Sequence, residues 1–168
     1  IRCRKIIQEL LEFSKGREPT KAPTDINENI DKALNIIENE FLLNRIVVDK
    51  KLTPGLPNVM ADGSQMEQVF VNLLINAVQA VPQEGTVQVK SSLNEQESCI
   101  SIEVTDNGPG ISRREQSKIF EPFFSTKEVG TGLGLSTVYG AVYQNQGAID
   151  VTSTAGEGTV IRILFPRV

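Results

Sequence analysis

The chain has 168 residues, 39% of them hydrophobic and 23% charged, with a net charge of −4. That is the balance of one globular domain with its own core and at most a short appendage; a disordered chain is excluded, and the missing basic excess argues against a nucleic-acid partner. Two scattered cysteines supply neither a disulfide framework nor a zinc site and suit a reducing, cytoplasmic location, while the complete lack of histidine removes imidazole metal sites and Ser-His-Asp triads.

Residues 1–15 read as a helix, with Ile6, Ile7, Leu10, Leu11 and Phe13 at helical spacing among Arg2, Arg4, Lys5, Gln8 and Glu9. No N-cap precedes it and the first residue is Ile1, so it is expected to be the end of a longer helix in a larger parent. No apolar run is long enough to span a membrane and no signal peptide is visible, although the parent could still be membrane-anchored. Gly16, Pro19 and Pro23 break the helix, and 16–23 reads as a linker ahead of a domain over 24–168.

Asp25 and Glu28 carry a capping-box signature, and Ile26, Ile30, Ala33, Leu34, Ile37 and Phe41 predict a helix to about residue 42. Residues 46–52 read as a strand ended by Pro54, Gly55 and Pro57. A second long helix starts at Asp62 or Ser64, with Glu67 at the capping-box position of Ser64, and ends near Val81, before Pro82. Residues 86–93 and 99–105 alternate as a hairpin. Helical pattern returns over 134–145, Gly147 stops it, and strands over 148–153 and 158–165 close the chain. The order predicts an α+β fold: a two-layer sandwich with helices on one face of a mixed, mostly antiparallel sheet.

Three stretches carry chemistry. On the second helix Met66, Phe70, Leu73, Ala77 and Val81 form an apolar ridge, while Gln68, Asn72, Asn76 and Gln79 form a polar stripe. The stripe is either a plain solvent face, or Asn72 and Asn76 within it face a ligand, where an amide oxygen suits a phosphate-bound Mg²⁺. Asp106-Asn107-Gly108-Pro109-Gly110 follows a strand, but no alternating strand follows it, so a simple hairpin turn does not account for its glycines. Asp106 at the strand end could accept from a base with an exocyclic amine. Gly130-Thr131-Gly132-Leu133-Gly134-Leu135-Ser136 opens a helix, where successive N–H groups make an anion site. It is neither a P-loop nor the dinucleotide fingerprint. Between the last two lies Phe120-Glu121-Pro122-Phe123-Phe124-Ser125-Thr126-Lys127, a core anchor whose lysine is either solvated or a phosphate contact.

These stretches, in this order over about residues 20–167, resemble the ATPase domain shared by histidine kinases, DNA gyrase B, Hsp90 and MutL. Asn72–Ala77 resembles the N box, Asp106–Gly110 the G1 box, Phe120–Lys127 the F box and Gly130–Leu135 the G2 box. The F box with GTGLGLS close behind is similar to sensor histidine kinases, and "NAVQA" with "FEPFFSTK" to the nitrogen-regulation and dicarboxylate-sensor subgroup. The resemblance implies three helices against a five-stranded mixed sheet, with ATP or ADP and Mg²⁺ as cofactors. It implies that Asp106 binds the adenine amino group beside Gly108, Gly110 and Ile111, with Thr159 supporting that end. Asn76 would hold Mg²⁺, backed by Asn72. Gly130, Thr131, Gly132, Leu133, Gly134 and Leu135 would cradle phosphates. Residues 107–130 would form a lid, with Ser125, Thr126 and Lys127 near the phosphates. Gln79 stands where many relatives carry Lys or Arg.

Residues 1–15 resemble the end of the dimerisation hairpin, whose acceptor histidine would lie upstream. The implied partners are the chain's own dimerisation and phosphoacceptor domain and a cognate response regulator, with a homodimeric parent and a fragment that can stand as a monomer. Two other activities fit the same fold. A protein-serine kinase of the anti-sigma type would not need the hairpin. A gyrase- or MutL-like conformational ATPase would need a glutamate where Asn72 stands. A degenerate domain that only binds a partner is a third reading.

Overall fold

The computed structural model describes residues 18–126 and 130–167, so the helix expected over residues 1–15 lies outside the described residues. The chain enters as a short strand, β1 (Ala22–Thr24), paired antiparallel with β3 (Val59–Ala61). The sequence showed neither strand, because three residues are too few to display a period of two. Thus the end of the stretch read as a linker is part of a two-stranded sheet.

Asp25 caps α1 (Ile26–Ile36) by accepting the N–H groups of Asn27 and Glu28 at 2.8 and 3.2 Å. Glu28 does not close a capping box; it turns forward to Lys32 at 2.8 Å. The single helix expected to residue 42 is two helices. Ile37 leaves helical geometry, and α2 (Glu38–Leu43) follows. Periodicity hid the break because Ile37 and Phe41 both stay buried in the core.

Asp62, not Ser64, caps α3 (Gly63–Ala80), accepting from the N–H groups of Ser64 and Gln65 at 3.0 and 3.2 Å. The main sheet has the order β2-β4-β5-β7-β6. Its strands are β2 (Val47–Leu52), β4 (Thr86–Asn94), β5 (Cys99–Asp106), β6 (Ala148–Thr154) and β7 (Gly158–Pro166). β2 and β4 run parallel, and the other neighbours are antiparallel. The sheet is therefore mixed and mostly antiparallel, and the fold is α+β.

The core fills the space between one face of this sheet and three helices, α1, α3 and α5 (Gly134–Gln144). Ile30 and Ala33, then Met66, Phe70, Leu73 and Ala77, then Val138 and Val142 meet Val89, Ile102, Val104, Ile161 and Ile163. Strand parity extends this face toward the site. Ile102 pairs with Ile163, Val104 with Ile161, and two residues further along the same face Asp106 pairs with Thr159. The opposite face is polar: Lys90 lies opposite Glu103, Glu103 opposite Arg162, and Arg162 bonds Asp150 at 2.9 Å.

Asn145, just past α5, locks two helices together. Its buried amide donates to Gln65 Oε1 at 2.6 Å and Ala141 O at 2.8 Å, and accepts the Asp62 N–H at 2.8 Å. Asn145→Ala strands these partners and is expected to cost about 2–3 kcal/mol. A urea midpoint shift with unchanged slope would register this, and an unmoved midpoint would refute it.

Candidate functional site

A cavity of about 840 Å³ opens between α3, the ends of β5 and β7, the 109–126 segment and the 130–135 loop. Its size suits a small-molecule ligand. The whole polar stripe of α3 faces it: Gln68, Asn72, Asn76 and Gln79 all line the wall. The helix can spare this face because Met66 and Phe70 are buried away from it, while Leu73 and Ala77, also buried, reach the cavity wall beside the stripe.

At one end, the register of β5 and β7 sets the Asp106 carboxylate beside Thr159. The Gly108 N–H donates to Asp106 Oδ1 at 2.9 Å. Gly108 itself lies behind the wall, where a Cβ would come 2.8 Å from both Ala80 O and Asp106 Oδ1. It holds the carboxylate rather than lining the cavity. The turn is tied down by Pro109, whose carbonyl accepts the Gly156 N–H at 2.7 Å. Gly110 has φ +71°, and a Cβ there would meet Thr154 O at 2.1 Å. Only glycine lets the turn pass this close.

Beyond it, Ser112 and Glu115 close a capping box on α4 (Arg113–Gln116). The Ser112 hydroxyl and N–H hold the Glu115 carboxyl below the usual carboxylate range. The sequence carries this S-x-x-E signal, but one helical turn is too short to show periodicity. Gln116 pins the turn, donating to Ile111 O at 2.7 Å and Ser153 O at 2.9 Å. Phe120 rests against the Tyr139 ring with centroids 5.5 Å apart.

At the other end two left-handed backbone positions touch. Phe123 sits at φ +66° and Gly132 at φ +71°, and the Phe123 N–H donates to Gly132 O at 2.9 Å. A Cβ at Gly132 would lie 2.4 Å from the Phe123 carbonyl carbon. The loop then enters α5, which no side chain caps among the described residues. Its first-turn N–H groups therefore stand ready for an anion. Gly134 lies beside Asn76, whose Nδ2 would be 3.6 Å from a Cβ there.

Thus Asn72, Asn76, Gln79, Asp106, Gly110, Ile111, Ser125, Thr126, Gly130, Thr131, Gly132, Leu133, Gly134, Leu135 and Thr159 share one wall. Gly108 does not reach it, and Lys127 lies outside the described residues. Sequence reasoning missed the apolar floor, Val71, Ile75, Ile119 and Phe124, and the amide of Gln68. Gln68 stood in the polar stripe and could have been found from it; Ile119 and Phe124 looked like ordinary core residues. The cavity offers hydrogen-bond acceptors at one end and amide and N–H donors at the other. Among the described residues no group of three His, Cys, Asp or Glu could hold a metal alone. The Asn76 amide oxygen would suit a cation that arrives with the ligand's own oxygens.

Residues 61–168 match the family described as histidine kinase-, DNA gyrase B-, and HSP90-like ATPase. The chain is 34% identical to sensor histidine kinase ZraS of Escherichia coli K12 over 98% of its own length and 35% of that protein's. It therefore spans about a third of that curated relative. Full-length ShkA, solved in complex with AMPPNP, superposes with a TM-score of 0.86 at 25% identity, over 98% of this chain and 35% of that one. Histidine kinase ThkA, solved in complex with the response regulator TrrA, superposes with a TM-score of 0.83 at 27% identity, over 99% of this chain and 48% of that one.

Proposed function

The chain belongs to the histidine kinase-, DNA gyrase B-, and HSP90-like ATPase family, and on that footing we propose that it is the ATP-binding catalytic part of a sensor histidine kinase. The observation that carries this is the polarity of the cavity. Asp106 and Thr159 offer acceptors to an exocyclic amine at one end, and the uncapped start of α5 with Asn76 offers donors and an amide ligand to phosphates at the other. The crystallised complex of ShkA with AMPPNP supports the same ligand class.

In this reading Asp106 orients the base and Gly110 lets the backbone approach it. The N–H groups at Gly134 and Leu135 hold the phosphates, and Asn76 supplies a metal ligand, backed by Asn72. Ser125 and Thr126 stand at the phosphate end, and on the family resemblance we assign Lys127 to that end and residues 107–130 to a lid over the nucleotide. Bound Mg²⁺ would neutralise phosphate charge, which with positioning is most of what phosphoryl transfer requires. The chain contains no histidine, so the γ-phosphate must go to an imidazole outside it. We assign residues 1–15 to the end of the helical hairpin that presents this imidazole in a homodimeric, cytoplasmic kinase core. A response regulator then receives the phosphate, as the complex of ThkA with TrrA suggests. Asn72, where a hydrolytic ATPase would need a carboxylate base, favours transfer to protein over transfer to water.

Calorimetric titration tests this. The chain is expected to bind Mg-ATP saturably, and absence of binding would sink the proposal. Asn76→Ala should weaken Mg-ATP about tenfold while changing metal-free ATP less, since the amide oxygen proposed as metal ligand is removed. Equal loss with and without Mg²⁺ would take the metal role from Asn76.

A further inference from the structure

Three neighbouring strands set Ser153, Thr159 and Asp106 in one row: Ser153 pairs with Thr159 on β7, and Thr159 pairs with Asp106 on β5. Thr159 and Asp106 line the cavity, whereas Ser153 does not. The hydrogen bonds of Ser153 fix more than its own position. Its Oγ lies 2.7 Å from Gly158 O, a carbonyl that can only accept, so the serine proton points there. Its Oγ also accepts the Ile111 N–H at 2.8 Å. The remaining contact, 3.0 Å to Thr159 Oγ1, must then carry the threonine proton toward Ser153. With one donor bond and two acceptor bonds, the serine hydroxyl is saturated.

The consequence lies in the cavity. With its only proton committed to Ser153, the Thr159 hydroxyl shows lone pairs to a ligand. Beside it stands a carboxylate, which is acceptor-only when ionised. We propose that Ser153 is a positioning residue for base selection: it turns Thr159 into a hydrogen-bond acceptor, so that the Asp106–Thr159 end takes a 6-amino purine and rejects a 6-oxo purine. This rests on the proposed nucleotide site. A 6-oxo group would bring a third acceptor against Asp106 and Thr159, neither of which can donate to it, and unmatched buried polar groups discriminate strongly.

The test is the ratio of ATP to GTP affinity, measured by calorimetry on the whole chain with Mg²⁺. Ser153→Ala frees the Thr159 proton to turn into the cavity, and the ratio is expected to fall about tenfold. Ser153→Thr, which keeps the hydroxyl, should hold the ratio near wild type. Ser153→Cys, a weaker acceptor of similar shape, carries the alanine expectation should that variant fail to fold. In a Thr159→Val background, Ser153→Ala should change the ratio no further. A merely structural role would weaken both nucleotides together, so a ratio unchanged by both Ser153→Ala and Ser153→Cys would overturn the inference. Wild-type chain that binds neither nucleotide would instead overturn the nucleotide site itself, and the inference with it.

Discussion

Asp106→Asn is expected to lower the affinity for ATP by about a hundredfold while leaving the fold intact. A hydrogen bond to a charged acceptor is worth about 1.5–3 kcal/mol, or roughly one to two powers of ten in binding. The substitution does more than remove charge. The Gly108 N–H donates to one carboxylate oxygen at 2.9 Å, so an asparagine there would keep its oxygen toward Gly108 and turn its NH₂ group away from it. Donor would then face donor at the base. The two side chains are nearly isosteric and the Gly108 contact survives, so the melting temperature should move little. Titrating the variant with ATP and GTP checks this, and wild-type ATP affinity would remove Asp106 from the site.

Gly132→Ala and Gly140→Ala are expected to act in opposite directions. At Gly132 the backbone sits at φ +71°, and a Cβ would lie 2.4 Å from the Phe123 carbonyl carbon. Alanine is strained at that φ, and the atom it strikes is backbone, which cannot rotate aside as a side chain would. The loop must lift away from Phe123, carrying the start of α5 with it. ATP affinity should fall at least about tenfold. Gly140 lies within α5, and a Cβ there meets nothing within 4 Å. Gly140→Ala should therefore stabilise the chain by about 0.5–1 kcal/mol through helix propensity, with ATP affinity unchanged. Both are read from thermal melts and nucleotide titrations. Full binding by Gly132→Ala would show that the Phe123 contact does not position the loop.

Much of this molecule is legible in the order of its residues. The ridge of Met66, Phe70, Leu73 and Ala77 marks buried residues of α3, two of which, Leu73 and Ala77, also reach the cavity, and the stripe at Gln68, Asn72, Asn76 and Gln79 lies along the cavity wall. The main strands and α5 fall within a residue or two of where alternation and spacing put them. These features are local: a helix or strand repeats its environment every few residues, so burial writes a period into the chain. The glycine at position 110 and the glycine at 132 are legible for a related reason, since a left-handed backbone leaves few other choices.

The rest depends on contacts between residues far apart in the chain, and no period records those. β1 finds β3 through pairs such as Ala22 with Ala61. The break at Ile37 leaves the apolar spacing unchanged. Gly108 looks like a ligand-binding glycine until Ala80 is seen pressing against it. Above all, the sequence determined that there is a carboxylate at the end of one strand and a threonine near the start of another. Only the antiparallel register of β5, β7 and β6 decided that Asp106, Thr159 and Ser153 stand side by side, and hydroxyl protons can be assigned only once their neighbours are known.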